Sequence, residues 1–553
     1  MARDWIKNNL TGKRLLFNIW FFASHIGIFI YGWWKQASDQ RLAALNKLQY
    51  SVWASRGAGL CLGYDGALLL LPVLRNMILV LRPQLSWALP IDENIWFHRQ
   101  IAYAMLFFTI VHTTAHYVNF INVEHTQVRQ EAAWEIHYTE PGGFTGHIML
   151  LIMLLMYTTA HHKIRKQCFE VFWYTHHLAF FFMLGLYTHA TGCFVRGALP
   201  GDKVQCLGYN TVRYTVWGGF FYFAERLYRE FRARRATHIV GVLMHPSGAM
   251  EIRFKKPSFR YKPGQWLFLN VPEISKFQYH PFTISSAPDE PYISIHARQA
   301  GDWTTALGER LGCTKELATQ LTLEAKSGIE MEKPIASRTD IDSSDFVDVG
   351  GKLGGIRMPQ IRIDGPFGAP AEDVFNKQVA IMIGTGIGVT PFASILKNIW
   401  FQQRKGKLGA LRRVIFIWIN RDTGAFGWFA SLLRNLEEAQ TDPDFLRINI
   451  YLTQKLDEDQ IYNIVVNDVG NEFDPLTSLR SRTQFGRPDF PAIFSSVRNA
   501  IETGNYLPGR ESSFRSSVGV FFCGPPEMAK RLKKITPQAS SSTVQFSFHK
   551  EHF

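Results

Sequence analysis

Cysteine is scarce in this chain, and the few cysteines present exclude a thiolate metal framework. Six of them in 553 residues, at 61, 168, 193, 206, 313 and 523, fall at no zinc-site or iron–sulfur spacing. Only Cys193 and Cys206 share a predicted outer loop, where a bridge is chemically permitted and is left open. Acidic residues are also short, 46 against 60 Lys and Arg, which leaves a net charge of +14. No small-residue cleavage site follows the first apolar run, so that run reads as a span and not as a removable signal. The aspartates at 340, 342, 345 and 348 lack the glycine and glutamate of a calcium loop and read as a solvated face. No glycosylation sequon falls in a predicted outer loop.

Long apolar runs, by contrast, crowd the first 230 residues of a chain that is 46% hydrophobic. Six are long enough to cross a bilayer: 15–34, 57–81, 98–121, 144–162, 169–190 and 212–228. Basic residues fall on one side of them: Arg3, Lys7, Lys13 and Arg14; Arg75 and Arg82; Lys163, Arg165 and Lys166; Arg226, Arg229, Arg232, Arg234 and Arg235. Loop 122–143 on the other side is acidic on balance, while Lys35, Arg41 and Lys47 run against the pattern. The prediction is an integral membrane protein with both termini cytosolic, in the plasma or an internal membrane. The positive charge then belongs to topology and an anionic cofactor, and nucleic acid is not an expected partner.

Histidines organise the membrane half. His98 and His112 lie 14 residues apart on the third run, and His176, His177 and His189 lie on the fifth. At about 1.5 Å per residue such spacings span about 20 Å of a core about 30 Å thick. Each helix can therefore place one imidazole in each half of the bilayer, an arrangement that suits two haems. Fourteen residues return to nearly the same helix face. Thirteen miss by about 140°, so the fifth run needs overwinding or a bulge, with Gly185 available. Spacing alone does not choose between His176 and His177. His116, one turn beyond His112, reads either as a donor to oxygen or as a polar helix end. His25 reads as an interior hydrogen-bonded histidine, while His147, His161 and His162 lack a layered partner. Arg56 and Arg75 on the second run need anions in lipid, and haem propionates would serve; Arg75 is also placed to snorkel. Asp65 between them has no account, and Phe182 stands midway between the two histidine layers.

The second half changes character. Alternating runs at 238–243, 250–254, 266–270 and 293–297 predict strands. In 296-HARQAGDWT-304 a strand end, Arg298, Gly301 and a helix opening near Trp303 and Thr304 make a diphosphate site. Residues 326–356 read as an exposed insertion, and 361-IRIDGPFG-368 as a strand and turn. In 378-QVAIMIGTGIGVTPFASILKNIW-400 a strand, a glycine loop (Gly384, Gly386, Gly388) and an amphipathic helix suit a pyrophosphate. Arg421 after strand 414–420, and Arg487, would clamp a ribose 2′-phosphate and favour NADPH over NADH. Cys523, Gly524 and Pro525 close another strand at the ligand-binding edge of the sheet.

Taken together, FEVFWYTHHL, HPFTISSAP, AGDWT, IDGPFG, GIGVTPFASILK, CGP and a terminal phenylalanine resemble the catalytic subunits of the NADPH oxidase family, short fungal-like forms included. The resemblance implies a cytosolic N-terminus (1–14) and a six-span α-helical haem domain (15–235). It also implies an FAD-binding β-barrel domain (236–375) and an α/β NADPH-binding domain (376–553), arranged as in ferredoxin–NADP reductases. It implies inner b-type haem ligands His98 and His176, outer ligands His112 and His189, and Arg56 and His116 at the oxygen pocket. FAD would lie on His280, Pro281, Phe282, Thr283, His296 and Arg298, with Trp303 and Thr304 beside it and Phe553 against the flavin ring. NADPH would lie across Gly384, Gly386, Gly388, Thr390, Pro391, Arg421, Arg487, Cys523, Gly524 and Pro525. The expected activity passes electrons from cytosolic NADPH through FAD and two haems to O2, releasing superoxide. Without N-terminal calcium loops, activation is expected from cytosolic proteins, a small GTPase and an adaptor, together with a small membrane subunit. The competing readings are a ferric-chelate reductase of the same fold and a regulatory or proton-conducting subunit.

Overall fold

A computed structural model describes residues 12–126, 131–189, 196–197, 203, 205–206, 212–245, 249–314, 358–421, 427–440, 442, 444–454, 462, 466, 471–477, 479–504, 506–507 and 515–551. Phe553, the insertion at 326–356 and Cys193 lie outside the described residues, as does the Cys206 side chain. The chain divides into two compact units, Met1–Tyr228 and Arg229–Phe553.

The first unit is helical and built inside out. Its helices are α1 (Gly12–Ser38), α2 (Tyr50–Leu68), α3 (Arg75–Leu85), α4 (Asn94–Thr126), α5 (Pro141–Ala160), α6 (Phe169–His176), α7 (Ala179–Thr188) and α8 (Val212–Arg234). On α1 the polar Asn18, His25 and Gln36 are buried while Leu16, Ile19, Ile26 and Ile30 face outward. That inversion suits lipid, where polar groups must be satisfied internally and apolar surface costs nothing. All six apolar runs are helical. Among the described residues, however, only α1, the segment Ile91–Thr126 and α5 are by themselves long and apolar enough to cross a membrane.

The second and fifth runs depart from the single straight spans expected of them. Run 57–81 breaks at Leu74, and α2 with its following turn meets α3 at 87°. Pro72 lacks the N–H that would continue α2. The Glu225 carboxylate then accepts from the N–H groups of Asn76 (3.1 Å) and Met77 (3.2 Å), capping a new helix in a new direction. Arg75 therefore begins α3 and does not stand on the α2 axis. Run 169–190 divides at His177–Leu178, where Leu178 N–H donates to Thr175 (3.0 Å) and Phe180 N–H to His177 (3.1 Å). These i→i−3 bonds overwind the chain in the sense that the 13-residue histidine spacing requires. Gly185 instead lets α7 approach α5, since a Cβ there would sit 2.8 Å from Met149 Cγ.

The second unit opens with two antiparallel three-stranded sheets. One has the order β1 (His238–Met244), β2 (Ala249–Lys255), β5 (Ile293–Arg298); the other has β4 (His280–Thr283), β3 (Trp266–Asn270), β6 (Arg362–Phe367). An Ile284–Ile295 bridge joins them over a core that includes Val242, Ile252, Phe254, Leu267 and Leu269. Helix α9 (Asp302–Arg310) seals that core with Trp303 and Leu307. The end of α8 belongs to this half. Arg229 and Arg232 donate to Asp364 at 2.8 and 2.6 Å, and Asp364 is 2% exposed. Two arginines that the topology reading counted as charges at the membrane edge are thus committed to a buried ion cluster.

The remaining strands are β7 (Val379–Thr385), β8 (Arg413–Asn420), β9 (Leu446–Leu452), β10 (Thr483–Phe485), β11 (Ser516–Cys523) and β12 (Val544–Lys550). They form one parallel sheet in the order β10-β9-β8-β7-β11-β12. Every residue of β8 is buried, as expected of a strand covered on both faces. Helices α10 (Thr390–Arg404) and α11 (Gly427–Ala439) cover one face, α12 (Phe490–Glu502) and α13 (Pro526–Ile535) the other. The chain winds outward from β7 one way and then returns to its other side. The crevice where ligands of such sheets bind therefore opens at the carboxyl ends of β7 and β11.

Candidate functional site

The four predicted haem ligands meet in two pairs. The ring centroids of His98 and His176 are 6.3 Å apart, and those of His112 and His189 are also 6.3 Å apart. Two imidazoles sharing a metal at about 2 Å from each nitrogen have centroids about 6 Å apart. Helix α2 holds both α4 members by the same device. Nδ1 of His98 donates to the Leu69 carbonyl and Nδ1 of His112 to the Ser55 carbonyl, each at 2.9 Å. Residues 55 and 69 repeat the 14-residue spacing of 98 and 112. His189, at the C-cap of α7, lies 2.9 Å from Thr145 Oγ1, whose own hydrogen goes to Pro141 at 2.6 Å. Bonds of this kind fix a ligating histidine with Nε2 presented to the metal. Gly59 keeps room for the His112 ring, because a Cβ there would lie 3.2 Å from its Cε1. Three anchored donors and this cradle fit a pair of haems.

His177 is not part of this arrangement: its Nδ1 bonds the Trp173 carbonyl at 2.7 Å in an exposed setting. His116 lies with its ring centroid 4.5 Å from that of His112. Arg56 follows Ser55, and its buried Nε has no partner among the described residues, so it is a donor in want of an anion. Phe182 is buried with Met105 and Met183. Asp65, unexplained by sequence, pairs with His25, Nε2 to Oδ1 at 2.9 Å, while His25 Nδ1 bonds the Phe21 carbonyl at 2.7 Å. The sequence reading missed Ser55, Leu69 and Thr145. Backbone carbonyls leave no sequence signal, and Thr145 stands 44 residues from its partner.

In the flavin half, β4 and the start of α9 bring His280 and Trp303 into a stack with centroids 3.9 Å apart, with Phe282 6.3 Å from the same indole. The buried Trp303 Nε1 has no partner among the described residues and offers a donor that fits an anionic dinucleotide. Pro281 and Arg298 are exposed, whereas Thr283 is buried. The Thr304 hydroxyl accepts from the N–H groups of Ala300 (3.0 Å) and Gly301 (3.1 Å) and so fixes the turn that opens α9. His296 is turned into a polar cluster with Ser285, 2.7 Å from its Nδ1.

At the sheet crevice, Gly386 adopts φ +53°, a conformation that favours glycine, and Trp418 Nε1 donates to its carbonyl at 3.2 Å. A Cβ on Gly388 would lie 2.8 Å from the Cys523 carbonyl oxygen, so the glycine loop and the Cys523-Gly524-Pro525 turn touch backbone to backbone. Gly384 pairs with Cys523 across β7 and β11. Helix α10 starts at Thr390 with Pro391 in its first turn. Arg421 and Arg487 are both exposed, just past the carboxyl ends of β8 and β10. Burial pushes the Cys523 thiol up to about 12, so at neutral pH it is a protonated packing group and no nucleophile. A helix start behind a glycine loop, with two cations at the rim, fits a phosphorylated dinucleotide.

Three family models match in tandem. Residues 65–187 match the ferric reductase like transmembrane component, 235–371 an FAD-binding domain and 377–537 the ferric reductase NAD binding domain. A superoxide-generating NADPH oxidase heavy chain of Dictyostelium discoideum is 34% identical over 100% of this chain and 98% of its own length. NADPH oxidase 1 of Mus musculus is 31% identical, covering 100% of this chain and 95% of that one. With this likeness running end to end, over a membrane domain, a flavin domain and a nucleotide domain in that order, the chain belongs to the NADPH oxidase family.

Proposed function

We propose that this integral membrane protein is a superoxide-generating NADPH oxidase, with His98 and His176 holding the inner haem and His112 and His189 the outer. The observation that carries the reading is the pair of equal 6.3 Å imidazole gaps, one in each half of the membrane unit. Bound FAD and haem would supply the conversion of a two-electron hydride donor, NADPH, into single electrons for dioxygen on the far side of the membrane. His112 and His189 would both be taken up in holding the outer haem, so the residues left to meet dioxygen beside it are Arg56 and His116. There Arg56 supplies a fixed cation that favours a forming anion, and His116 a ring beside His112. The topology belongs to the same reading: six spans, the fifth broken and the second bent, with cytosolic termini. It is supported by the six helical runs and the basic residues at their ends. Regulation by cytosolic activators, a small GTPase and an adaptor, and by a small membrane subunit, rests on family resemblance alone.

Purified protein supplied with NADPH in air should reduce a probe in a manner abolished by superoxide dismutase. NADPH-driven reduction of ferric chelates under argon, with no dismutase-sensitive signal in air, would favour the reductase reading instead. Gly388→Ala is expected to raise KM for NADPH about tenfold, the cost of about 1–3 kcal/mol of crowding against the Cys523 backbone, with FAD content unchanged. Arg421→Ala is expected to raise KM for NADPH about tenfold and leave KM for NADH in place, as loss of one charge-assisted bond to a 2′-phosphate predicts. Equal effects on both nucleotides would remove Arg421 from that role.

A further inference from the structure

One face of the flavin-half sheet carries a cluster of three donors, of which only His296 was expected at the flavin and the other two have no role so far. Glu251 on β2 and His296 on β5 are direct cross-strand partners. His245 stands where β1 turns towards β2, its N–H donating to the Ala249 carbonyl at 2.8 Å. Nε2 of His245 is 3.9 Å, and Nε2 of His296 4.0 Å, from the same oxygen, Glu251 Oε2. The two rings stack with centroids 5.6 Å apart at 23°. All three donor atoms lie within 4.8 Å of one another. The side chains of Glu251 and His296 are each 5% exposed and that of His245 is 21% exposed, so the cluster is reached by solvent chiefly at His245.

We propose that His245, Glu251 and His296 form a site for a divalent transition-metal ion of the zinc type. Two imidazoles and a carboxylate are a donor set that such ions prefer, and three protein ligands leave a position for water. Donors around a tetrahedral ion with bonds of about 2.1 Å stand about 3.4 Å apart. Each His–Glu gap therefore closes by roughly half an ångström, and the gap between the two imidazoles, within 4.8 Å, by up to about 1.4 Å, to complete the site. The protonation states suit it. Burial holds His296 down to about 3 and keeps His245 below its ordinary value, so both are neutral imidazoles near pH 7. Burial works to raise Glu251, but Arg253, His296 and Lys397 outweigh it and hold the carboxyl well below the usual carboxylate range. Ser285, itself bonded to Ser294 at 2.9 Å, holds Nδ1 of His296 and aims Nε2 at Glu251.

Arg253 is the restraint on this site. Its guanidinium grips both oxygens of Glu251, at 2.8 and 2.9 Å, so an arriving cation must share the carboxylate with a fixed positive charge. Arg253 therefore tunes the affinity downward. An ion held by His245 and His296 would cross-link the β1–β2 hairpin to β5, two residues before Arg298.

The test uses the full chain in detergent, with haem and FAD content as the measure of correct folding. Zinc chloride is titrated, bound zinc is counted by elemental analysis after dialysis, and thermal release of FAD is followed. One zinc per chain is expected to bind at this site and to raise the release midpoint. His245→Gln should weaken that binding about 10- to 100-fold. Arg253→Gln should tighten it several-fold, a result that an ion network without a metal does not predict. If His245→Gln fails to fold, the Arg253→Gln comparison alone decides. Zinc uptake equal in wild type and His245→Gln, or no tighter in Arg253→Gln, overturns the site.

Discussion

Replacing His112 with leucine is expected to leave one haem per chain where the wild type carries two, and to bring NADPH-driven superoxide down to background. Leucine nearly matches imidazole in size and belongs in a lipid-spanning helix, so α4 should persist and the lost group is the nitrogen donor alone. His189 keeps its bond to Thr145, but one histidine would not hold a group that needs two. The inner pair, His98 with His176, shares no residue with the outer one and should stay loaded. Reduction of a soluble dye directly from the flavin should continue, which separates loss of the outer relay from loss of NADPH oxidation. His177→Leu supplies the matched control: adjacent in sequence to His176 but bonded to Trp173, it should change neither haem content nor output. A His112→Leu protein with two haems and wild-type superoxide would dismantle the pairing. A His177→Leu protein with one haem would move the inner ligand by one position.

What the sequence made legible is whatever a local pattern encodes. The 14-residue interval on α4 is a phase relation, and His98 and His112 both turn towards α2, where they bond Leu69 and Ser55. The glycine loop at 384–388 announced its strand, turn and helix because each needs its own residue types within about twenty positions. The 13-residue interval on the fifth run could not be resolved. The tightening at His177–Leu178 comes from i→i−3 bonds that no composition signals, so choosing His176 rested on resemblance. Long-range electrostatics were the most opaque. The bend at Leu74 depends on Glu225, distant in the chain, reaching the amides of Asn76 and Met77. Asp65 had no role until His25 was brought 2.9 Å from it. The bonds by which Thr304 fixes the start of α9, to the N–H groups of Ala300 and Gly301, likewise carry no sequence signal of their own.

Asp364 is where a surface-looking motif and a buried charge meet, and Asp364→Ala is expected to destabilise the flavin half by about 3–5 kcal/mol. The carboxylate is 2% exposed and receives Arg229 Nε and Arg232 Nη2 at 2.8 and 2.6 Å. Arg229 is 9% exposed and lies 5.3 Å from the centroid of the Phe367 ring, so it cannot simply turn to water. Removing the aspartate leaves two guanidinium groups facing each other without a counter-charge, a cost larger than the net worth of the ion pairs themselves. For a domain of this size the midpoint of thermal FAD release should fall by on the order of 10 °C. Asp364→Asn keeps an acceptor but not the charge and should fall between the two. The triple variant Asp364→Leu, Arg229→Met, Arg232→Met separates the causes. If the penalty comes from stranded charge, as argued, the triple variant should recover most of the loss, because apolar groups of similar volume replace a buried ion cluster at little cost. If Arg229 and Arg232 instead serve as topology charges at the membrane edge, the single Asp364→Ala variant should unfold at the wild-type midpoint. In that case the triple variant should insert poorly and yield little haem-loaded protein.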